Sequence, residues 1–105
     1  MPIDIRPDHL QIVQDILQIH VPNDQVWIFG SRAKWTAKNT SDLDICIKGE
    51  KPLTLNTLAH LREDFSESNL PYKVDVVDWY GISEGFKKII ESDKVELPKS
   101  LQQNK

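Results

Sequence analysis

An α+β domain, a small mixed sheet packed against helices, is what this sequence predicts. Three observations point there. Helical periodicity recurs in three stretches, short β-branched and aromatic runs lie between them, and 105 residues with 39% hydrophobic content can build one compact core but not a second. The expected order is α-β-α-β-α-β-α in a single domain, 1–105, with its core at about residues 8–92 and a flexible tail from about residue 98.

The first helix is expected over 8–20, where Leu10, Val13, Ile16 and Leu17 share a face with Ile12 and Ile19 beside it. Asp8, after Pro7, is its expected N-cap, and Pro22 and Asn23 stop it. The run Val26, Trp27, Ile28, Phe29 is wholly apolar and reads as a strand buried on both faces. Gly30 and Ser31 end it, and residues 31–37 follow as a short helical segment. The strand at 41–48 alternates: Leu43, Ile45 and Ile47 point one way, Asp42, Asp44 and Cys46 the other. Thr54 caps a helix over 55–68 that turns Leu55, Leu58, Leu61 and Phe65 inward. Pro71 precedes a third strand, 72–79, in which Val74 and Val76 share one face and Asp75 and Val77 the other. Ser83 caps a final helix, 84–92, with Phe86, Ile89 and Ile90 apolar and Glu84 in its first turn.

Charge excludes some functions. Lys plus Arg is 13 and Asp plus Glu is 16, a net charge of −3, which argues against a protein that lives by neutralising phosphates and against nucleic acid as the main partner. One cysteine excludes an internal disulfide framework and a cysteine zinc cage, and fits a reducing compartment. No apolar run approaches the ~18 residues of a membrane span, and the first ten residues carry no apolar signal core. The expectation is a cytoplasmic protein without a membrane partner.

The chemistry concentrates in three carboxylates and one turn. Asp42 and Asp44 lie two apart on one strand face, roughly 6–7 Å apart at Cα. Two poor strand formers that repel each other in an apolar strand suit a hard cation with oxygen ligands such as Mg²⁺. Asp75, embedded in a second apolar strand, joins them if the two strands are neighbours. Two metal ions bridged by carboxylates suit in-line phosphoryl or nucleotidyl displacement. Upstream, a buried strand runs into Gly30-Ser31 at a helix N-terminus, where free N–H groups and a hydroxyl can grip phosphate oxygens, with Arg32 and Lys34 adding positive charge. The plain alternatives are the wet face of a half-exposed strand and an ordinary capped turn. The three histidines lie on helices at no ligand spacing, Cys46 reads as a small buried filler, Arg62 to Asp64 and Lys87-Lys88 as solvated helix faces, and Asp78 as structural.

Gly30-Ser31-Arg32-Ala33, then Ser41-Asp42-x-Asp44, then Asp75 on a later strand, resembles the signature of the DNA polymerase beta-like nucleotidyltransferases, and most of all their minimal members (MNT). Helix and strand order extend the likeness over roughly residues 8–92. The resemblance implies the nucleotidyltransferase fold. It implies that Gly30, Ser31, Arg32 and Ser41 bind the nucleotide triphosphate, that Asp42 and Asp44 bind two Mg²⁺ ions, and that Asp75 completes one metal site and aids deprotonation of the acceptor. Many members carry Gly where this chain has Trp35, a residue that tolerates a left-handed backbone poorly. The turn is therefore expected to be shaped differently, with the indole packed on the domain or a partner, or stacked on the base.

After the catalytic core about 25 residues remain, so the acceptor is expected to come from another protein or to be recruited at a shared surface. Minimal nucleotidyltransferases commonly pair with a helical HEPN protein in a toxin–antitoxin module, in some systems transferring AMP from ATP to a toxin tyrosine. Three readings follow: an AMP transferase acting on a HEPN-type partner, a non-catalytic antitoxin that occludes its partner, and a nucleotidyltransferase for a small molecule or RNA end with a separate acceptor-binding subunit.

Overall fold

The computed structural model of the chain describes residues 2–98. The first helix, α1 (Pro7–His20), begins on a proline, whose fixed φ and missing N–H suit a first helical position. Its N-cap is Arg6, without a side-chain bond, and not the expected Asp8; Asp8 sits in the first turn, where its carboxylate pairs with Arg6 at 3.0 Å. Strand β1 (Gln25–Phe29) leads into a single helical turn, α2 (Ser31–Lys34), shorter than the 31–37 expected. Strand β2 (Leu43–Lys48), helix α3 (Leu55–Ser66), strand β3 (Val74–Asp78), a 3₁₀ turn (Trp79–Gly81) and helix α4 (Glu84–Asp93) follow. The hydroxyls of Thr54 and Ser83 accept the amides of Thr57 and Phe86, capping α3 and α4 as the sequence suggested.

The sheet has four strands, in the order β3-β2-β1-β4. The fourth, β4 (Val95–Glu96), was not expected: two residues carry too little pattern to read, and antiparallel pairing with Trp27 and Ile28 of β1 is what makes them a strand. β1 and β2 run antiparallel, β2 and β3 parallel, so the sheet is mixed. Alternation splits the interior in two. Val26, Ile28, Leu43, Ile45, Ile47 and Val76 face α1 and α3 in the larger core. Trp27, Phe29 and Cys46 face the other way, into a smaller aromatic core closed by Ile90 and Phe86 of α4. Trp27 meets Trp79 edge to face at 5.4 Å, and Phe29 meets Phe86 at 5.5 Å.

Three apolar residues expected to pack do not. Ile19 is 72% exposed, because nine positions after Leu10 places it about 180° around the helix. Leu55, 86% exposed, is the first residue of α3 and lies about 80° from Phe65. Ile89, 55% exposed, stands on the outer flank of α4 while its neighbour Ile90 is buried. The tail expected to be flexible lies, beyond Pro98, outside the described residues.

Candidate active site

Strand pairing assembles the carboxylates. In the parallel β2–β3 ladder Asp44 stands opposite Asp75, and in the antiparallel β1–β2 ladder Asp44 stands opposite Phe29. One row across the sheet therefore reads Phe29, Asp44, Asp75, with Gly30-Ser31 leaving the row at its β1 end. Asp42 precedes β2 instead of lying inside it, one residue upstream of Leu43. Asp44 and Asp75 project from the face that carries the small aromatic core.

Gly30 is required at this point for two reasons. Its φ is 74°, a region L side chains rarely adopt. A Cβ there would also stand 2.3 Å from Oδ2 of Asp44, so the turn and the carboxylate press together through the missing side chain. Ser31 and Arg32 then offer the first amides of α2, which have no intrahelical acceptor. With only one turn behind them the helix dipole is small, and any anion grip here rests on the amides and the Ser31 hydroxyl.

Asp44 bears the electrostatic cost of the arrangement. Burial, then the neighbouring charges of Asp75 and Asp42, push its carboxyl up to about 6. No donor among the described residues bonds that carboxylate. Asp75 is more open, with Lys73 Nζ 3.8 Å from its Oδ1. A hard divalent cation fits this set: the donors are all carboxylate oxygens, the charges of Asp75 and Asp42 raise the proton affinity of Asp44, and Asp44 has no other partner among the described residues. The fit is to an open site, since among the described residues no three His, Cys, Asp or Glu side chains form a ready metal cage. Mg²⁺ characteristically keeps such a site incomplete and finishes its shell with substrate phosphates and water.

Arg32 is not where the nucleotide reading put it. Its side chain is 5% exposed and turns to the far side of the loop. Nε donates to the Ser41 carbonyl at 3.1 Å, Nη1 to the Asp4 carbonyl at 2.9 Å, and Nη2 to the carbonyls of Ser41 and Asn39 at 2.9 and 3.2 Å. The guanidinium also lies 4.0 Å from the centre of the Tyr72 ring. Arg32 thus ties the N-terminal arm to the loop that delivers Asp42 and to the entry of β3. Ser41 is part of the same loop: its Oγ accepts the Lys38 amide at 2.8 Å, leaving its hydroxyl proton to give. This node was missed in the sequence because a buried cation without a carboxylate has no linear pattern.

Trp35 also corrects an expectation. The backbone there is left-handed, φ 61° and ψ 35°, so the turn keeps the geometry a glycine would take. The indole is 55% exposed and its Nε1 donates to the Pro2 carbonyl at 3.3 Å. Asp78 is structural: its carboxylate accepts the amides of Leu53 and Tyr80. Cys46 is buried, and burial with Asp78 nearby pushes its thiol up to about 11, a filler and not a nucleophile. No helix of the described residues is long and apolar enough to cross a membrane.

Likenesses to known proteins bear on the family and the fold. Residues 11–100 match the family described as Polymerase beta, Nucleotidyltransferase. A Haemophilus influenzae protein named as a probable protein adenylyltransferase, MntA, is 50% identical over 88 residues, 84% of this chain and 77% of its own. In fold, the chain is similar to a toxin–antitoxin crystal structure with AMP-PNP (TM-score 0.73, 22% identity, 90% of this chain and 76% of that one). It is also similar in fold to the complex of tri-AMPylated Shewanella oneidensis HEPN toxin with MNT antitoxin (TM-score 0.64, 21% identity, 90% and 76%). Family match, half identity to a relative and a shared fold lead to one conclusion: the chain belongs to the polymerase beta nucleotidyltransferase family.

Proposed function

We propose that this chain is a Mg²⁺-dependent adenylyltransferase that moves AMP from ATP to a tyrosine of a HEPN-type helical partner, acting in the cytoplasm as the antitoxin of the pair. The observation that carries the reading is the row from Gly30 through Asp44 to Asp75, a carboxylate pair set across two strands beside the Gly30-Ser31 turn. Its half-identical relative is named as a protein adenylyltransferase, and its fold neighbours include a toxin–antitoxin pair with AMP-PNP and an AMPylated HEPN toxin with its MNT antitoxin.

The residues divide the work. The amides at Ser31 and Arg32, with the Ser31 hydroxyl, hold the β- and γ-phosphates. Asp42 and Asp44 are the residues that would hold two Mg²⁺ ions, with Asp75 as a further ligand. When bound, Mg²⁺ would neutralise these carboxylates and offset the charge that develops on the phosphates. Asp75 receives the tyrosine proton, whose unperturbed pKa near 10 makes its removal costly. The phenolic oxygen then bonds to the α-phosphorus as the bond to the β-phosphate bridging oxygen breaks, and pyrophosphate leaves. The left-handed backbone at Trp35, the geometry a glycine would take there, supports the catalytic reading over occlusion without catalysis.

The test is to incubate the purified chain with α-labelled ATP, Mg²⁺ and a HEPN-type helical protein that co-purifies with it. Label on a tyrosine of that protein, lost in chelator, is expected. Neutralisation of the partner with no label transferred would turn the reading to occlusion; label on RNA ends or a small molecule instead would turn it to the third reading.

A further inference from the structure

The three carboxylates are not held alike. Asp44 and Asp75 stand inside the β2–β3 ladder, and its register sets them opposite each other. Asp42 is exposed and lies outside the ladder, at the end of the loop that enters β2. A metal site needs its ligands at fixed separations, so something besides strand pairing must set Asp42 against Asp75.

The anchors of that loop run through Arg32 to one aromatic ring. The Ser41 carbonyl, one residue before Asp42, accepts from Nε and Nη2 of Arg32 at 3.1 and 2.9 Å, and the Asn39 carbonyl accepts from Nη2 at 3.2 Å. The guanidinium carbon lies 4.0 Å from the centre of the Tyr72 ring. A guanidinium can lie on an aromatic face and still aim its in-plane donors at carbonyls, so the two contacts do not compete. Tyr72 stands at the entry of β3, three residues before Asp75, and its neighbour Lys73 accepts the Leu43 amide at 2.9 Å where the two strands meet. On its other side the Tyr72 hydroxyl is 3.2 Å from Nδ1 of His9, with the two rings edge to face at 5.5 Å, so α1 holds the ring in place. A cavity of about 370 Å³ opens beside this contact, bounded by His9, Asn39 and Thr40, which gives the guanidinium room to shift if the ring is lost.

We propose that Tyr72 is a positioning residue for nucleotidyl transfer: its ring fixes Arg32, Arg32 fixes the Ser41 carbonyl, and Asp42 is thereby held at its working distance from Asp75. Tyr72 packs with Val74 and Val76 on the α1–α3 side of the sheet, away from Asp75, so it acts through the loop and not on the substrate. The proposal rests on the adenylyltransferase reading for the use of the carboxylates, and on the Arg32–Tyr72 contact for the placing of Asp42.

Metal affinity is the readout, because a ring that served only the fold would leave it alone. Mn²⁺ stands in for Mg²⁺: the full chain is titrated with a non-hydrolysable ATP analogue present, and free Mn²⁺ is followed by electron paramagnetic resonance. Tyr72→Phe keeps the ring, gives up the His9 contact, and should stay within about twofold of the wild type. Tyr72→Leu should bind Mn²⁺ about tenfold more weakly, and its AMP transfer should recover at raised Mg²⁺. A second series guards against loss of the fold. Tyr72→Phe carrying one, two or three ring fluorines keeps the shape and drains charge from the ring face, and should weaken Mn²⁺ binding stepwise. A flat fluorine series, or a folded Tyr72→Leu protein with wild-type affinity, overturns the positioning role and leaves the metal site standing. A wild type that takes up no Mn²⁺ overturns the adenylyltransferase reading, and the role of Tyr72 with it.

Discussion

Arg32 is 5% exposed and Asp44 is partly buried, yet the protein treats their charges in opposite ways. The guanidinium has backbone carbonyls from Asp4, Asn39 and Ser41 and the Tyr72 ring around it, so the cation is solvated by the fold itself. The Asp44 carboxylate has no donor among the described residues, two carboxylates for neighbours and a pKa pushed up to about 6. A buried charge with complete partners holds structure together, and a buried charge left without them keeps its binding energy for something that arrives later. By that comparison the Arg32 node builds the site and the Asp44 row uses it.

The largest expected effect tests the second half of the comparison. Asp44→Asn should cut AMP transfer by about 10³-fold or more, roughly 4 kcal/mol of transition-state stabilisation. It should leave the melting temperature in chelator unchanged or higher, since it removes a repelled charge. Single-turnover transfer together with thermal melts in chelator and in Mg²⁺–ATP measures both. Loss of stability in chelator would make Asp44 an ordinary structural residue and break the comparison.

Arg32→Met should behave conversely, costing about 3 kcal/mol of folding stability because several carbonyls lose their donors together. Arg32→Lys should recover little of it, as an ammonium cannot span carbonyls on three segments. Urea unfolding gives the cost. A lysine variant of full stability that has lost its Mg²⁺–ATP gain would return Arg32 to the nucleotide.

The pH dependence is smaller. The folded Asp44 carboxyl holds its proton more tightly than the unfolded one, so its penalty is present above about pH 6 and is relieved as pH falls through that value towards 4. In chelator the wild type should therefore gain, relative to Asp44→Asn, up to about 1 kcal/mol between pH 7 and pH 5 once solvent screening is allowed for. Taking the difference between the two proteins cancels the titrations that they share. With Mg²⁺–ATP the sign reverses, because protons compete with the cation. A difference that does not change with pH would mean that Asp44 is not electrostatically strained.

The smallest effect concerns the strained turn. Trp35→Gly should raise stability by about 0.5 kcal/mol, relief of a left-handed tryptophan less the entropy of glycine and the lost bond to Pro2. A loss above about 1 kcal/mol, by the same unfolding measurement, would show that the indole's hold on the N-terminal arm outweighs the strain.

Much of this architecture was legible in the chain because it follows from periods and caps. The alternation Leu43, Ile45, Ile47 against Asp44 and Cys46 determined which side of β2 is core, and the hydroxyls of Thr54 and Ser83 marked two helix starts. The candidate carboxylates were visible as misfits, aspartates inside apolar strands. What the chain could not state was adjacency. That Asp75 stands opposite Asp44 depends on β3 pairing in parallel with β2 after α3 crosses over, a choice made by the packing of the larger core. Two residues, Val95 and Glu96, became a strand only because β1 offered an open edge. Arg32 looked like a phosphate ligand from its neighbours in sequence and became a structural cation through carbonyls 6 to 28 residues away. Local pattern determines which face of an element is buried; the partners of a charge are set by which elements meet, and only the tertiary structure decides that.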